Sequence, residues 1–387
     1  MIAIPSWQLV EDALHAAAGP LAEKAARLPH WFADAVVDRS RRYTSEREAI
    51  HKAPDREADL AARALFFSPV DAAKISAPLA ELVRARGGSL GVSLDQPVRV
   101  VDLGAGCGAM SLGLLATAGA LAPRWEITLV DRDAPALALA RGAIERLAAA
   151  LALDVAVKVI AQDLSSWKPV PCELVLAGTV LNELSVPASR AVVAAALASI
   201  KGARGDGAVL LLEPALRDAS PRLHELRDEQ IAAKTSSVIA PCVRKGAPCP
   251  MLARPTDWCH EDRPFHPTQR VGLVADVTRL RDGNLKYAYL VLALRPAPLL
   301  PPRPGHAALR VVSGVLPGGK GKREQWACGD VGRISVRRLD RRANATNAWF
   351  DELRRGDLIE APDDRVEAAV TSRLEILEDD ALPITRT

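Results

Sequence analysis

Residues Val100–Leu114 read VVDLGAGCGAMSLGL: an apolar run, then three glycines in five residues (Gly104, Gly106, Gly108), then an Ala/Leu-rich run. This pattern predicts a buried strand, a tight glycine loop and a helix, in that order. Without a Cβ, the loop backbone can turn sharply and lie directly against a ligand. The strand–loop–helix setting is what gives such a loop its meaning as a nucleotide site.

Downstream, strands and helices alternate. Expected strands are Val98–Leu103, Glu126–Val130, Asp154–Ile160, Glu173–Ala177 and Ala208–Leu212, with helices at Met110–Ala118, Ala134–Leu151 and Ser189–Ser199 between them. Such alternation predicts an α/β, doubly wound, largely parallel sheet. A further strand is expected at Leu285–Leu294, paired with Val271–Leu280 across the turn Asp282–Gly283–Asn284. Upstream, apolar residues at three- and four-residue spacing in Leu9–Ala18, Trp31–Tyr43 and Ala58–Phe67 predict helices, with Pro54, Pro69 and Pro78 as breaks or first-turn positions. Arg39, Arg41, Arg42 and Arg47 surround Tyr43 and are expected on a solvated helix face.

Beyond the proline-rich linker 295–304, short strands (Leu309–Gly314, Gly332–Leu339) and a helix near Ala345–Arg355 are expected. Residues 301–355 hold 12 Lys/Arg against 5 Asp/Glu, and residues 356–387 hold 9 acidic against 3 basic, so a basic, RNA-facing module with an acidic tail is expected. The stretch Gly314–Lys320 imitates a phosphate-binding Walker loop, but Gly321 stands where Ser or Thr must reach Mg²⁺; a flexible basic loop is expected instead. The division expected is residues 1–95 helical, 96–300 the nucleotide-binding domain with a cysteine-rich segment at 240–266, and 301–387 a small β-rich module.

Composition excludes other classes. Net charge is +3 and 25% of residues are charged, so no global polyelectrolyte character exists. The apolar runs are too short to span a bilayer, and residues 1–20 carry Glu11 and Asp12 but no Lys or Arg, unlike a secretory or transit peptide. A bacterial cytoplasmic setting is expected, with neither membrane nor DNA as partner.

The loop GAGCGA also satisfies the dinucleotide pattern G-x-G-x-x-[GA]. Asp102, just before the first glycine, favours S-adenosylmethionine, because a pyrophosphate would be repelled there while a methionyl amino group would not. Asp131 closes the second strand, where it can accept from both ribose hydroxyls, and Asp163 follows the third, where it can accept from the adenine amino group. This series resembles the class I S-adenosylmethionine-dependent methyltransferases, with their Rossmann-like fold. The donor-binding set expected is Asp102, Gly104, Ala105, Gly106, Gly108, Asp131, Arg132, Asp163, Leu164 and Asn182. Asn182-Glu183-Leu184 is not the Asn/Asp-Pro-Pro-aromatic clamp of amino methylation, and no catalytic base emerges. In-line positioning alone can drive methyl transfer. Cys107, inside the loop, is expected as a small packing residue.

Cys242, Cys249 and Cys259 place three of the chain's six thiols within 18 residues, and Cys328 is a fourth candidate ligand. Four thiolates suit zinc or an iron–sulfur cluster. No C-x₂₋₄-C pair of the zinc-ribbon kind occurs, and His260 and His266 are expected on the loop surface. The order of glycine loop, LNEL, Glu213–Pro214, the APC…PC…WCH segment, YAYLVL and Cys328 resembles the mitochondrial and bacterial small-ribosomal-subunit assembly proteins of methyltransferase fold, over roughly residues 25–360. That resemblance implies a four-iron–four-sulfur cluster on Cys242, Cys249, Cys259 and Cys328, S-adenosylmethionine at the loop, and action on the small subunit or its rRNA. The alternatives are a non-catalytic iron–sulfur assembly factor and a small-molecule methyltransferase with structural zinc.

Overall fold

The fold is described from a computed structural model, which covers residues 6–50, 52–244, 246, 248–254, 257–280, 283–316 and 319–386. The chain opens with six helices: α1 (Trp7–Ala18), α2 (Pro20–Arg27), α3 (Pro29–Thr44), α4 (Arg56–Ala62), α5 (Ser68–Lys74) and α6 (Ser76–Ala85). Pro69 takes the expected first-turn position, in α5. A π-turn at Arg63–Phe67 joins α4 to α5, with the Ser68 amide donating five residues back to the Arg63 carbonyl. Widening the helix in this way absorbs a proline that lacks the ordinary donor.

Strand β1 (Val98–Leu103) leads through the glycine loop into α7 (Ala109–Ala118). Then come β2 (Arg124–Asp131), α8 (Ala134–Ala150), β3 (Asp154–Ala161), β4 (Leu174–Gly178), α9 (Val186–Ile200), β5 (Ala208–Pro214) and α10 (Ala219–Ala233). Strands β6 (Ser237–Ala240) and β7 (Glu261–Pro264), helix α11 (Gln269–Thr278) and strand β8 (Asn284–Ala293) complete this half. The sheet order is β3-β2-β1-β4-β5-β8-β6, with β7 also on β8. The first five strands are parallel and β8 is antiparallel to β5. The order reverses between β1 and β4, so the crevice lies at their carboxyl ends, where open α/β sheets bind ligands. Among the described residues, no helix is long and apolar enough to cross a membrane.

One expected hairpin is absent. Val271–Leu280 lies mostly in helix α11, and β8 pairs with β5, β6 and β7 instead. Asp282, in the expected turn, lies outside the described residues. The helix buries Val271 and Ala275, four residues apart, while Leu273 and Val277 face solvent. Its N-terminus is satisfied from far away in sequence: buried Glu11 of α1 accepts from the amides of Arg270 (3.2 Å) and Val271 (2.8 Å) and from Thr268 Oγ1 (2.7 Å). A carboxylate there also suits the helix dipole.

The remaining chain forms a second sheet of β9 (His306–Val311), β10 (Lys322–Gly329), β11 (Gly332–Leu339), β12 (Leu358–Pro362), β13 (Leu374–Glu375) and β14 (Ile384–Thr385), with a one-turn helix α12 (Asp363–Ala368). Beyond the expected basic loop, Lys322–Gly329 is a strand closed onto β11 by a tight turn at Gly329–Gly332. Pro317 and Gly318 of that loop lie outside the described residues. The expected helix at 345–355 is only a 3₁₀ segment, Ala348–Glu352.

Candidate functional site

The glycine loop needs its glycines. Gly104, Gly106 and Gly108 all have positive φ (68°, 50° and 84°), and a Cβ on Gly104 would lie 2.4 Å from Val180 Cγ2. The loop is tied to β2: the Gly104 and Ala105 amides donate to the Val130 carbonyl at 2.8 and 3.1 Å, and the Gly106 amide donates to Asp131 Oδ2 at 2.9 Å. Asp131 Oδ1 in turn accepts from the Asp133 amide at 2.9 Å. Gly108 is the left-handed N-cap of α7.

Asp102 is fully buried and turned toward that helix start. Its Oδ2 accepts from the Ser111 amide (3.1 Å) and hydroxyl (2.7 Å), while Oδ1 is buried without a partner. Burial pushes its carboxyl up to about 7, against the two Ser111 hydrogen bonds. The donor set therefore divides. Gly104, Ala105, Gly106, Asp131 and Arg132 line a cleft of about 670 Å³; Asp102, Gly108, Asp163, Leu164 and Asn182 do not. Asp163 is exposed at the carboxyl end of β3, accepts from the Ser165 amide at 2.8 Å, and is held below the usual carboxylate range by that backbone bond. Asn182 accepts from Arg47, whose Nη2 reaches the Asn182 carbonyl at 2.8 Å.

The opposite wall comes from residues that the sequence did not single out as site members. Arg39, Tyr43, Arg63, Phe67 and Ser68 of the N-terminal helices face the loop, and Thr179 and Glu183 after β4 join them. Arg39 and Arg42 are not on a solvated face: they are 6% and 3% exposed and share buried Asp59 with Arg63. Helical periodicity marks which face is apolar but not that an arginine is buried against a carboxylate 17 or 20 residues on. Cys107 packs in the loop, 4% exposed, and burial raises its thiol to about 11.

The four candidate metal-ligating cysteines converge. Cys242 follows β6, Cys249 precedes the 3₁₀ turn Pro250–Ala253, Cys259 precedes β7 and Cys328 lies in β10, and all line one cavity with His224, Arg227, Arg244 and Arg310. Burial, then repulsion from Cys242, raises the thiols of Cys249 to about 11 and Cys328 to about 12; Cys259 is raised further in the same way. Among the described residues, no group of three or more Cys, His, Asp or Glu is placed to hold a metal ion. His260 and His266 do not line the cavity, whereas His224 does: its Nε2 accepts from the Cys259 amide at 3.0 Å, and burial lowers its pKa to about 4.

The basic module is largely self-neutralised. Arg303 pairs with Glu360, Lys322 with Glu324, Arg333 with Asp257, Arg337 with Glu375, and Arg323 and Arg338 with Asp351. Charge counted along the chain overstates the field here, because the following acidic segment folds back onto the same sheet.

Among solved structures, the chain is similar to the magnesium protoporphyrin IX methyltransferase of Synechocystis PCC 6803 with bound SAM (12% identity, 68% of this chain and 97% of that one, TM-score 0.34). It is also similar to YcgJ of Bacillus (13% identity, 58% and 99%, TM-score 0.32) and to an O-methyltransferase family protein of Burkholderia thailandensis (16%, 65% and 62%, TM-score 0.29). No curated protein matches the chain. The Rsm22 family, described as mitochondrial small ribosomal subunit Rsm22, matches residues 90–316, from just before β1 to the loop before β10. That span holds the glycine loop, both acids that follow it and three of the four convergent cysteines, and the chain belongs to the Rsm22 family.

Proposed function

We propose that this protein binds S-adenosylmethionine in the cleft at the carboxyl ends of β1 and β4 and transfers its methyl group to a component of the small ribosomal subunit, with rRNA as the acceptor. The reading is carried by the glycine loop at the topological switch point, its Gly106 amide clasped by Asp131 within a cleft of about 670 Å³. A cleft of that size suits a drug-sized ligand. Asp131 is the carboxylate to receive the ribose hydroxyls, exchanging its bond to Gly106. The ribosomal side of the reading is supported by family membership.

The test is incubation of the purified protein with labelled donor and immature small subunits. The expected result is label in rRNA, and Gly104→Val, whose side chain would collide with Val180, binds no donor. Donor binding without any transfer would leave a non-catalytic assembly factor.

We also propose a four-iron–four-sulfur cluster on Cys242, Cys249, Cys259 and Cys328. Four thiols line one cavity, and no close C-x₂₋₄-C pair of the zinc-ribbon kind is among them, which favours a cluster over zinc. When bound, such a cluster supplies iron–thiolate bonds that cross-link the insertion to the C-terminal sheet. Arg227 and Arg244 at the same cavity offer the thiolates compensating positive charge. Anaerobically purified protein is expected to be coloured and to contain iron and acid-labile sulfide, and Cys242→Ser is expected to lose both. Colourless protein with stoichiometric zinc would overturn the assignment.

A further inference from the structure

The donor loop occupies one wall of the cleft, and the other wall has a chemistry of its own. Tyr43 and Arg39 hold each other there: the guanidinium lies 4.3 Å from the ring centroid, and its Nη2 donates to the Tyr43 hydroxyl at 3.1 Å. Arg39 also donates to the Ile50 carbonyl (2.8 Å) and to Asp59, while its Nε is buried with no partner among the described residues. Facing them is Glu183, in the turn Leu181–Glu183. That turn is fixed from below by buried Glu213, which accepts from the Leu181 (2.9 Å) and Asn182 (3.2 Å) amides. Thr179, just after β4, has φ of 58°, which a β-branched residue adopts only under strain. This bend sets Val180 against Gly104 and leaves Glu183 on the cleft.

The wall is fastened at both ends. Arg63 bridges Asp59 to Asp133 after β2, and Arg47 reaches the Asn182 carbonyl after β4. A passage closed in this way admits one extruded group and not a duplex. At its rim, Arg56 is exposed and suited to a phosphate. The charged groups around Glu183 are Arg39 and Arg63 of the helices, Asp131 and Arg132 after β2, and Glu213 beneath it.

We infer that this half of the cleft is the acceptor subsite and takes one extruded nucleobase presenting a lactam edge, its ring against Tyr43, its N–H on Glu183 and its carbonyl on Arg39. The inference rests on the methyl-transfer reading and names its acceptor. Aromatic and guanidinium planes are the surfaces on which unstacked RNA bases settle. In the transfer, the nitrogen lone pair forms the new C–N bond as the sulfonium C–S bond breaks with its electron pair left on sulfur. The N–H proton passes to the Glu183 carboxylate and from there to water.

Two measurements test this. With donor-loaded wild type, calorimetry is expected to show binding of guanosine or uridine 5′-monophosphate and at least about fivefold weaker binding of the adenosine and cytidine forms. Tyr43→Ala should weaken that binding about tenfold, the scale of one base stack, whereas Tyr43→Phe, which keeps the ring, retains it. Glu183→Gln is expected to slow labelled transfer to rRNA about 100-fold, as for loss of a general base, with donor affinity unchanged. Equal binding of all four nucleotides, transfer by Glu183→Gln within about threefold of wild type, or label on a ribosomal protein would each overturn the subsite. Should wild type transfer no methyl group at all, the methyl-transfer reading fails, and the nucleotide calorimetry decides the subsite by itself.

Discussion

Arg310→Met is expected to destabilise the folded chain by about 3–5 kcal/mol, the scale for stripping one partner from a buried ion pair. Arg310 lies in β9, opposite Cys328 in the ladder, and is 3% exposed. Its Nη1 donates to Glu81 (2.8 Å) and the Pro241 carbonyl (3.2 Å), and its Nη2 to Glu261 (2.7 Å) and the Tyr289 hydroxyl (2.9 Å). One guanidinium, on the strand beside that of Cys328, thus joins α6, the residue before Cys242, the residue two after Cys259, and Tyr289 of β8. Removing it leaves buried Glu81 without a cation among the described residues and Glu261 with Arg263 alone. Lysine cannot repair this, since one ammonium does not reproduce the fork. Urea unfolding in the presence of a chelator measures the loss, and neutralising the stranded acid in Arg310→Met/Glu81→Gln should recover part of it. A single-variant loss under about 1 kcal/mol would show that the network contributes little. Arg244 makes a second stitch, to the Gly329 carbonyl (2.6 Å) beside Cys328 and the Pro248 carbonyl (3.1 Å) beside Cys249. With both in place, the segments that carry the four thiols are tied together by side-chain hydrogen bonds.

Gly113→Ala is the second large effect, and its sign runs against helix propensity. Alanine in place of glycine within a helix gains about 1 kcal/mol. Here the added Cβ would lie 2.1 Å from the Ala72 carbonyl oxygen and 2.6 Å from Ile75 Cγ2, so α7 must move off α5. Overpacking of this kind costs about 1–3 kcal/mol, and with backbone as the obstacle the upper end is expected. The displaced α7 also carries the glycine loop at its start, so donor affinity should fall with the melting temperature. Gly142→Ala in α8 is the control: its Cβ would meet only the flexible end of Arg146 at 3.1 Å and Ala17 Cβ at 3.5 Å. That variant is expected to be neutral or stabilised. Equal melting temperatures for the two variants would remove the close approach of α5 and α7 as the explanation.

Gly113 also shows where reading along the chain stops. The five parallel strands and three intervening helices fell within a few residues of expectation, because each is marked by its own composition and period. The glycine loop was legible for the same reason: its three positive φ values are local demands that only glycine meets cheaply. Helix α11 was not, since its stripe is weak and its capping carboxylate, Glu11, belongs to α1. The Arg39–Arg42–Asp59 cluster resembled a surface face because burial is a property of neighbours, not of spacing. The charge of residues 301–355 resembled a basic patch because part of its counter-charge lies outside the segment, in Glu360 and Glu375 later in the chain and Asp257 before it.

The sequence by itself determined the α/β alternation, the place of the glycine loop, and the clustering of three thiols, all of which reside in residue type and short-range order. Only the tertiary structure decided that Cys328 meets cysteines some seventy residues before it, that the N-terminal helices supply the far wall of the cleft, and that Glu183 faces it. The physical reason is the same in each case. Such convergence depends on buried ion pairs and packing between segments distant in sequence, and these leave no periodic signature in either segment alone.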